Sequence, residues 1–260
     1  MMGKDALLGY KTFRDPYQIE KDYLQDILLY SIYKKSSNEL VLKGGTAFSK
    51  FYFSDRFSED LDFTLTYAKE GAIEYAKDII ERATEQLEYK YRYKEAPEAN
   101  EYGTVGAILL IEGPRYNGKE STLQQLQFEI STAHKLVMDP GVMARNPVYA
   151  DAKSYTALVM QPDEIIAEKL RALVSPGRRH KERDLYDVYH FVGKGAEIIK
   201  RLVNAKLSEV NIDVSCNDIV KAIDSVRTTW DDLEPFVQHP LQRFEEVKIL
   251  VVDAVKKALE

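Results

Sequence analysis

Three clusters in this 260-residue chain combine residue types and spacings that could do chemistry. The first is Arg56-Phe57-Ser58-Glu59-Asp60-Leu61-Asp62. Residues Leu61 to Leu65 are apolar enough for a strand, where side chains at i and i+2 share a face about 7 Å apart. Asp60 and Asp62 would then lie side by side as like charges, which costs stability unless a cation sits between them. Hard oxygen ligands suit Mg²⁺, often as a pair of ions. A solvated polar face of an edge strand would carry the same Asp-x-Asp.

The second cluster is Lys43-Gly44-Gly45-Thr46, between the apolar Leu40-Val41-Leu42 and a short helical stretch holding Ala47, Phe48 and Phe51. Glycines there let the backbone approach a ligand, and amide N–H groups at a helix start can face a phosphate. Gly44, Gly45 and Thr46 are therefore nucleotide-binding candidates, although two glycines also make an ordinary strand-to-helix turn. The third cluster is Glu168-Lys169-Leu170-Arg171, followed by Arg178-Arg179-His180-Lys181-Glu182-Arg183-Asp184-Leu185-Tyr186-Asp187. It reads either as a surface turn between helices or as a cationic clamp for a triphosphate. In the clamp, Asp184 would orient Lys169 or a neighbouring arginine.

The elements that must position these residues follow from periodicity. Asp15-Pro16 starts a helix that keeps a 3.6-residue period through Tyr33. Strands are predicted at 40–42, 61–65, 105–111 and 123–130, with a helix over about 71–87. Tyr89, Tyr91 and Tyr93 alternate with Lys90, Arg92 and Lys94, which predicts a strand with one basic face. The stretch around Asp139, Pro140, Gly141, Asn146 and Pro147 reads as a loop. Beyond Pro162 nearly everything has helical periodicity. The chain thus divides into residues 1–160, a mixed sheet with helices, and a helical region over 161–260, with the boundary near Tyr155 to Pro162.

Composition removes several alternatives. The single cysteine, Cys216, excludes an internal disulfide and a cysteine zinc cluster, and reads as a small apolar filler. No apolar run is long enough to span a membrane, and the first residues lack a secretory signal's apolar centre, so a cytoplasmic location is expected. A net charge of −6 argues against tight non-specific nucleic-acid binding without excluding a local basic patch. His134, His180, His190 and His239 are too dispersed to name a metal site, and Tyr186 and Trp230 read as core.

Taken together, Gly44-Gly45-Thr46 and Arg56-x-Ser58-x-Asp60-x-Asp62 resemble the first motifs of the nucleotidyltransferase AbiEii/AbiGii toxin family. Lys169 and Arg183-Asp184-Leu185-Tyr186-Asp187 resemble its later motifs, and Ile19 to Tyr23 its N-terminal helix. The resemblance extends to about Phe191. It implies an α+β, polymerase-β-like nucleotidyltransferase fold with an appended helical region. It implies a transferase toxin of a toxin-antitoxin system that takes a nucleotide from an NTP, in some relatives onto a tRNA 3′ end, and is restrained by a cognate antitoxin. Asp60 and Asp62 would hold magnesium, with Glu129 as a third carboxylate. Lys169 would contact the nucleotide, and Asp184 would be the later catalytic aspartate. Ser58, counted with the nucleotide-binding residues, matches a Ser/Thr that is modified in some relatives. Transfer to a protein or small molecule, or a catalytically inactive binding protein, are the alternatives.

Overall fold

The computed structural model describes residues 2–35, 39–66, 70–133, 135–177 and 181–260. The chain forms an α+β fold that divides into two compact units. The first comprises residues 1–51, 57–136 and 140–159, and the second 52–56, 137–139 and 160–260. Two short segments from the sequence-N-terminal part therefore belong with the helical unit.

The first unit contains a mixed seven-stranded sheet. Its strands are β1 (Leu40–Lys43), β2 (Leu61–Leu65), β3 (Tyr91–Ala99), β4 (Thr104–Ile111), β5 (Gln124–Ser131), β6 (Gly141–Arg145) and β7 (Tyr155–Val159), in the order β3-β4-β5-β2-β1-β7-β6. β2 is antiparallel to β1 and parallel to β5. Strands β1 and β2 sit inside the sheet with mostly buried side chains, which explains the apolar run Leu40-Val41-Leu42 and the buried Leu61, Phe63 and Leu65. Helices α1 (Lys4–Leu8), α2 (Pro16–Lys35), α3 (Gly44–Phe51) and α4 (Ala72–Thr84) complete the unit.

The stretch expected to be a loop around Gly141 is instead strand β6, and β7 lies where the domain boundary was expected. Their turn-forming flanks hide them in sequence. Pairing with β7, and β7 with β1, forms them. Strand β3 starts two residues later than the tyrosine alternation predicts. It continues through Pro97, which an edge strand interrupted by register shifts tolerates. Helix α3 begins at Gly44 rather than Thr46.

Helix α2 starts as expected: the Tyr17 N–H donates to Asp15 Oδ1 at 2.8 Å. Its Glu20, Lys21, Asp22 and Asp26, however, are buried. A buried charge is tolerated only when paired, and the partners come from elsewhere in the unit. Lys50 of α3 reaches Asp22 Oδ1 at 2.8 Å and Asp26 Oδ2 at 3.2 Å. Arg145 of β6 grips both Asp26 oxygens at 3.2 and 3.1 Å. Tyr155 donates to Asp26 at 2.9 Å, and Tyr149 to Asp22 at 2.7 Å. This network ties α2, α3 and the β6–β7 edge together.

The second unit packs α5 (Pro162–Val174), α6 (Lys181–Gly193), α7 (Lys200–Ser208), α8 (Cys216–Ser225), a 3₁₀ segment (Val226–Phe236) and α9 (Phe244–Leu259). Glu164 accepts from the N–H groups of Val137 and Met138 at 2.9 Å each, and the fully buried Lys206 meets Glu164 at 2.7 Å. Cys216 opens α8 behind a Ser215–Asp218 capping box and is only half-buried, so it is not a core filler. Trp230 is buried, with its indole N–H donating to the Gln242 carbonyl at 2.8 Å, and Tyr186 is buried too. No helix among the described residues is long and apolar enough to cross a membrane.

The Asp26 cluster gives a stability test. Burial pushes the Asp26 carboxyl up, but Lys50 and Arg145 outweigh it and hold the carboxyl below its ordinary value of 3.8. Its contribution is therefore complete above pH 3.8 and lost as pH falls through the lowered folded value. Asp26→Asn is expected to cost about 3–5 kcal/mol at pH 7 by leaving two cations short of a counter-charge. In urea melts from pH 7 to pH 2, the gap from the parent should close at the acid end. A gap unchanged by pH would show that the carboxylate's charge is not what stabilises α2.

Candidate active site

The first two sequence clusters meet at the centre of the sheet. Lys43 at the end of β1, Asp62 on β2 and Glu129 on β5 are register partners, so their side chains form one row across three strands. Asp62 is half-buried between the buried Leu61 and Phe63. Glu129 is exposed between Phe128 and Ile130, both fully buried. Row and alternation together put the three polar side chains on one face. Gln127 Nε2 donates to Glu129 Oε1 at 2.8 Å. Asp60 is the residue just before β2, whose bounds are those expected from the sequence.

Gly44 explains why the turn is glycine. Its φ is +68°, and a Cβ placed on it would lie 2.6 Å from Asp62 Oδ2. The close approach that glycine permits is thus to the aspartate itself. Thr46 is fully buried, and its hydroxyl donates to the Asp60 backbone carbonyl. Gly45 is buried in the first turn of α3. Ser58 is buried, and its carbonyl accepts from Gln25 Nε2 of α2 at 3.0 Å. Gly44 therefore leaves room for one aspartate's carboxylate, and Thr46 bonds the other's backbone.

The third cluster forms in the second unit. Lys169 Nζ of α5 lies 2.8 Å from Asp184 Oδ1 and 3.0 Å from Asp187 Oδ2, both on α6. Asp187 also accepts from Arg56 Nε and Nη2, at 2.8 Å each. All four side chains are buried. Burial disfavours each charge, yet the pairing wins: Lys169 and Arg56 are held above their ordinary values and Asp187 below its own. Lys169 thus contacts Asp184, the residue expected to orient it or a neighbouring arginine. Asp187 and Arg56 had no assigned role, and their 131-residue separation leaves no local pattern to reveal the pair.

Other candidates separate. Arg178, Arg179, His180 and His134 lie outside the described residues. His190 Nδ1 is 3.4 Å from Asp55, burial lowers its pKa, and Tyr186 donates to the same carboxylate at 2.7 Å. Of the tyrosine stripe, Tyr89 is buried and Tyr93 bonds Thr84 at 2.8 Å, so its aromatic side is packed. The basic side is exposed on the sheet edge, with Arg92 paired to Glu120 and Lys94 3.3 Å from Gln125.

The donor set at the sheet fits a divalent cation in kind: Asp60, Asp62 and Glu129 offer hard oxygens, without imidazole or thiolate. Among the described residues no three His, Cys, Asp or Glu side chains are already gathered at metal-holding distance. Gly44→Ala is the sharpest probe of this geometry. It is expected to cost about 1–2 kcal/mol in backbone strain and to displace the Asp62 carboxylate. A displacement near 1 Å should cut nucleotide transfer on the order of a hundredfold. Gly71→Ala, at φ +71° with nothing within 4 Å of the added carbon, should cost similar strain and leave turnover intact. Equal activity of the two variants in a labelled-NTP assay would remove Gly44 from the site.

The fold is shared with solved structures of low sequence identity. MenT4, a nucleotidyltransferase toxin from Mycobacterium tuberculosis H37Rv, aligns over 100% of this chain and 91% of its own, with 18% identity and a TM-score of 0.62. JHP933 from Helicobacter pylori aligns over 95% and 93%, with 16% identity and a TM-score of 0.53. No curated protein sequence matches the chain. The family model described as nucleotidyl transferase AbiEii toxin, Type IV TA system, matches residues 27–253. With its acidic strand, glycine turn and helical lysine all inside that span, the chain belongs to the AbiEii nucleotidyltransferase toxin family.

Proposed function

We propose that this chain transfers a nucleotide from an NTP to an RNA acceptor, a tRNA 3′ end, as the Mg²⁺-dependent toxin of a pair whose antitoxin restrains it. The reading rests on one observation above all: the row of Lys43, Asp62 and Glu129 on three adjacent strands, with Gly44 shaped to the Asp62 carboxylate.

In the reaction, the acceptor hydroxyl oxygen bonds to the α-phosphorus. The bond from that phosphorus to the bridging oxygen breaks, and pyrophosphate leaves with its electron pair. The hydroxyl proton goes to a base, for which the exposed Glu129 is the carboxylate in register with Asp62. Asp60, Asp62 and Glu129 would hold Mg²⁺, which when bound neutralises phosphate charge and favours the deprotonated hydroxyl. Lys169 supplies an ammonium to the triphosphate and Asp184 orients it. Gly44 and Thr46 keep the aspartates in place, and Gly45 adds its backbone to the same turn.

One observation favours a protein or small-molecule acceptor instead: Arg92 on the basic edge is already paired to Glu120, so less charge is available there for an RNA backbone. Incubation of the protein with purified tRNA, Mg²⁺ and each radiolabelled NTP, beside Asp62→Ala, decides between them. Label in the tRNA band with the parent and a loss on the order of a thousandfold in the variant are expected. Label that enters only a protein band would overturn the tRNA reading.

A further inference from the structure

Lys169 is held by two carboxylates rather than one, and the second has its own clamp. An ammonium has three N–H donors in a fixed tetrahedral fork. A single acceptor leaves the other two free to swing about the bonded axis. Two acceptors in fixed places determine the direction of the third. Here Asp184 takes one donor at 2.8 Å and Asp187 a second at 3.0 Å.

Asp187 is itself immobilised. Arg56 binds both of its oxygens, Nε to Oδ1 and Nη2 to Oδ2, at 2.8 Å each, the planar two-point geometry that fixes a carboxylate in orientation as well as position. Asp187 Oδ2 is thus shared between Arg56 and Lys169. Asp187 follows Asp184 by three residues on α6, so one helix face presents both carboxylates. In this cluster two cations face two anions. Such a balance explains why it is stable in a buried place. It does not explain the second carboxylate on Lys169, because Asp184 alone would neutralise the lysine and Asp187 alone the arginine.

We propose that Asp187 and Arg56 are positioning residues that aim the third N–H of Lys169 at the triphosphate. The proposal rests on the reading of Lys169 as a phosphate ligand given above. Neither residue touches the nucleotide; both act through Lys169.

A double-mutant cycle tests this on the whole chain. Affinities for an NTP and for the matching nucleoside are measured by calorimetry in the parent, Lys169→Ala, Asp187→Asn and the pair of substitutions together. Asp187→Asn is expected to weaken the NTP about tenfold or more and to leave the nucleoside unchanged. In the Lys169→Ala background it should have no further effect on the NTP, because coupled residues are not additive. Arg56→Lys keeps the charge, loses the two-point grip, and keeps the test open if Asp187→Asn does not fold. It should raise KM for the NTP severalfold in protein whose melting temperature stays near the parent's. If Lys169→Ala loses NTP affinity while Asp187→Asn and Arg56→Lys bind like the parent, the positioning role is overturned and the Lys169 reading survives. If Lys169→Ala itself binds NTP normally, both fall. Equal losses for NTP and nucleoside, additive with Lys169→Ala, would show a merely structural role and overturn the proposal.

Discussion

Ionised side chains leave water at a high cost unless each meets a counter-charge with good geometry, and this chain buries them in both units. In the first unit, Asp22 and Asp26 of α2 meet Lys50, Arg145 and two tyrosines. Lys50 lies on α3, whose first residue is the glycine beneath Asp62. The turn that shapes the aspartate thus begins a helix anchored by a buried ion pair. In the second unit, Lys169 is held by Asp184 and Asp187, and Asp187 by Arg56. Electrostatic pairing therefore fixes Lys169 directly and anchors the helix whose first residue adjoins Asp62.

What was legible in the sequence follows from how local each signal is. The Asp-x-Asp, the apolar strand around it and the glycine turn lie within some twenty residues and carry strong periodic or turn chemistry. They point to β1, α3 and β2 almost residue for residue. Strands β6 and β7 were not legible, because turn-formers surround them and their partners are distant in sequence. The acidic face of α2 was not legible either. Asp22 and Asp26 look like a solvated surface until Lys50 and Arg145 arrive from other elements. The Lys169–Asp184 contact could be inferred from a helix and the run after it, whereas Arg56–Asp187 joins parts of the chain that no periodicity links.

The glycine turn also shows how a motif's purpose can differ from its first reading. A Gly-Gly-Thr ahead of a helix suggests a phosphate cradle. Here Gly44 makes room for a carboxylate, and the Thr46 hydroxyl is spent on the Asp60 carbonyl. Both are compatible with a nucleotide nearby, since a triphosphate reaches the enzyme with its cation. Under the proposed function, the residues that shape the carboxylates would also shape where a cation and its phosphates sit.

If Asp60 and Asp62 share a divalent cation, as proposed, removing one charge should help the cation-free protein. Thermal melts of the parent and Asp60→Asn, each in chelator and in millimolar Mg²⁺, test it directly. Expected is a variant that melts at or above the parent in chelator and gains nothing from Mg²⁺, while the parent gains. A variant that melts lower in chelator and keeps the parent's gain in Mg²⁺ would contradict the claim.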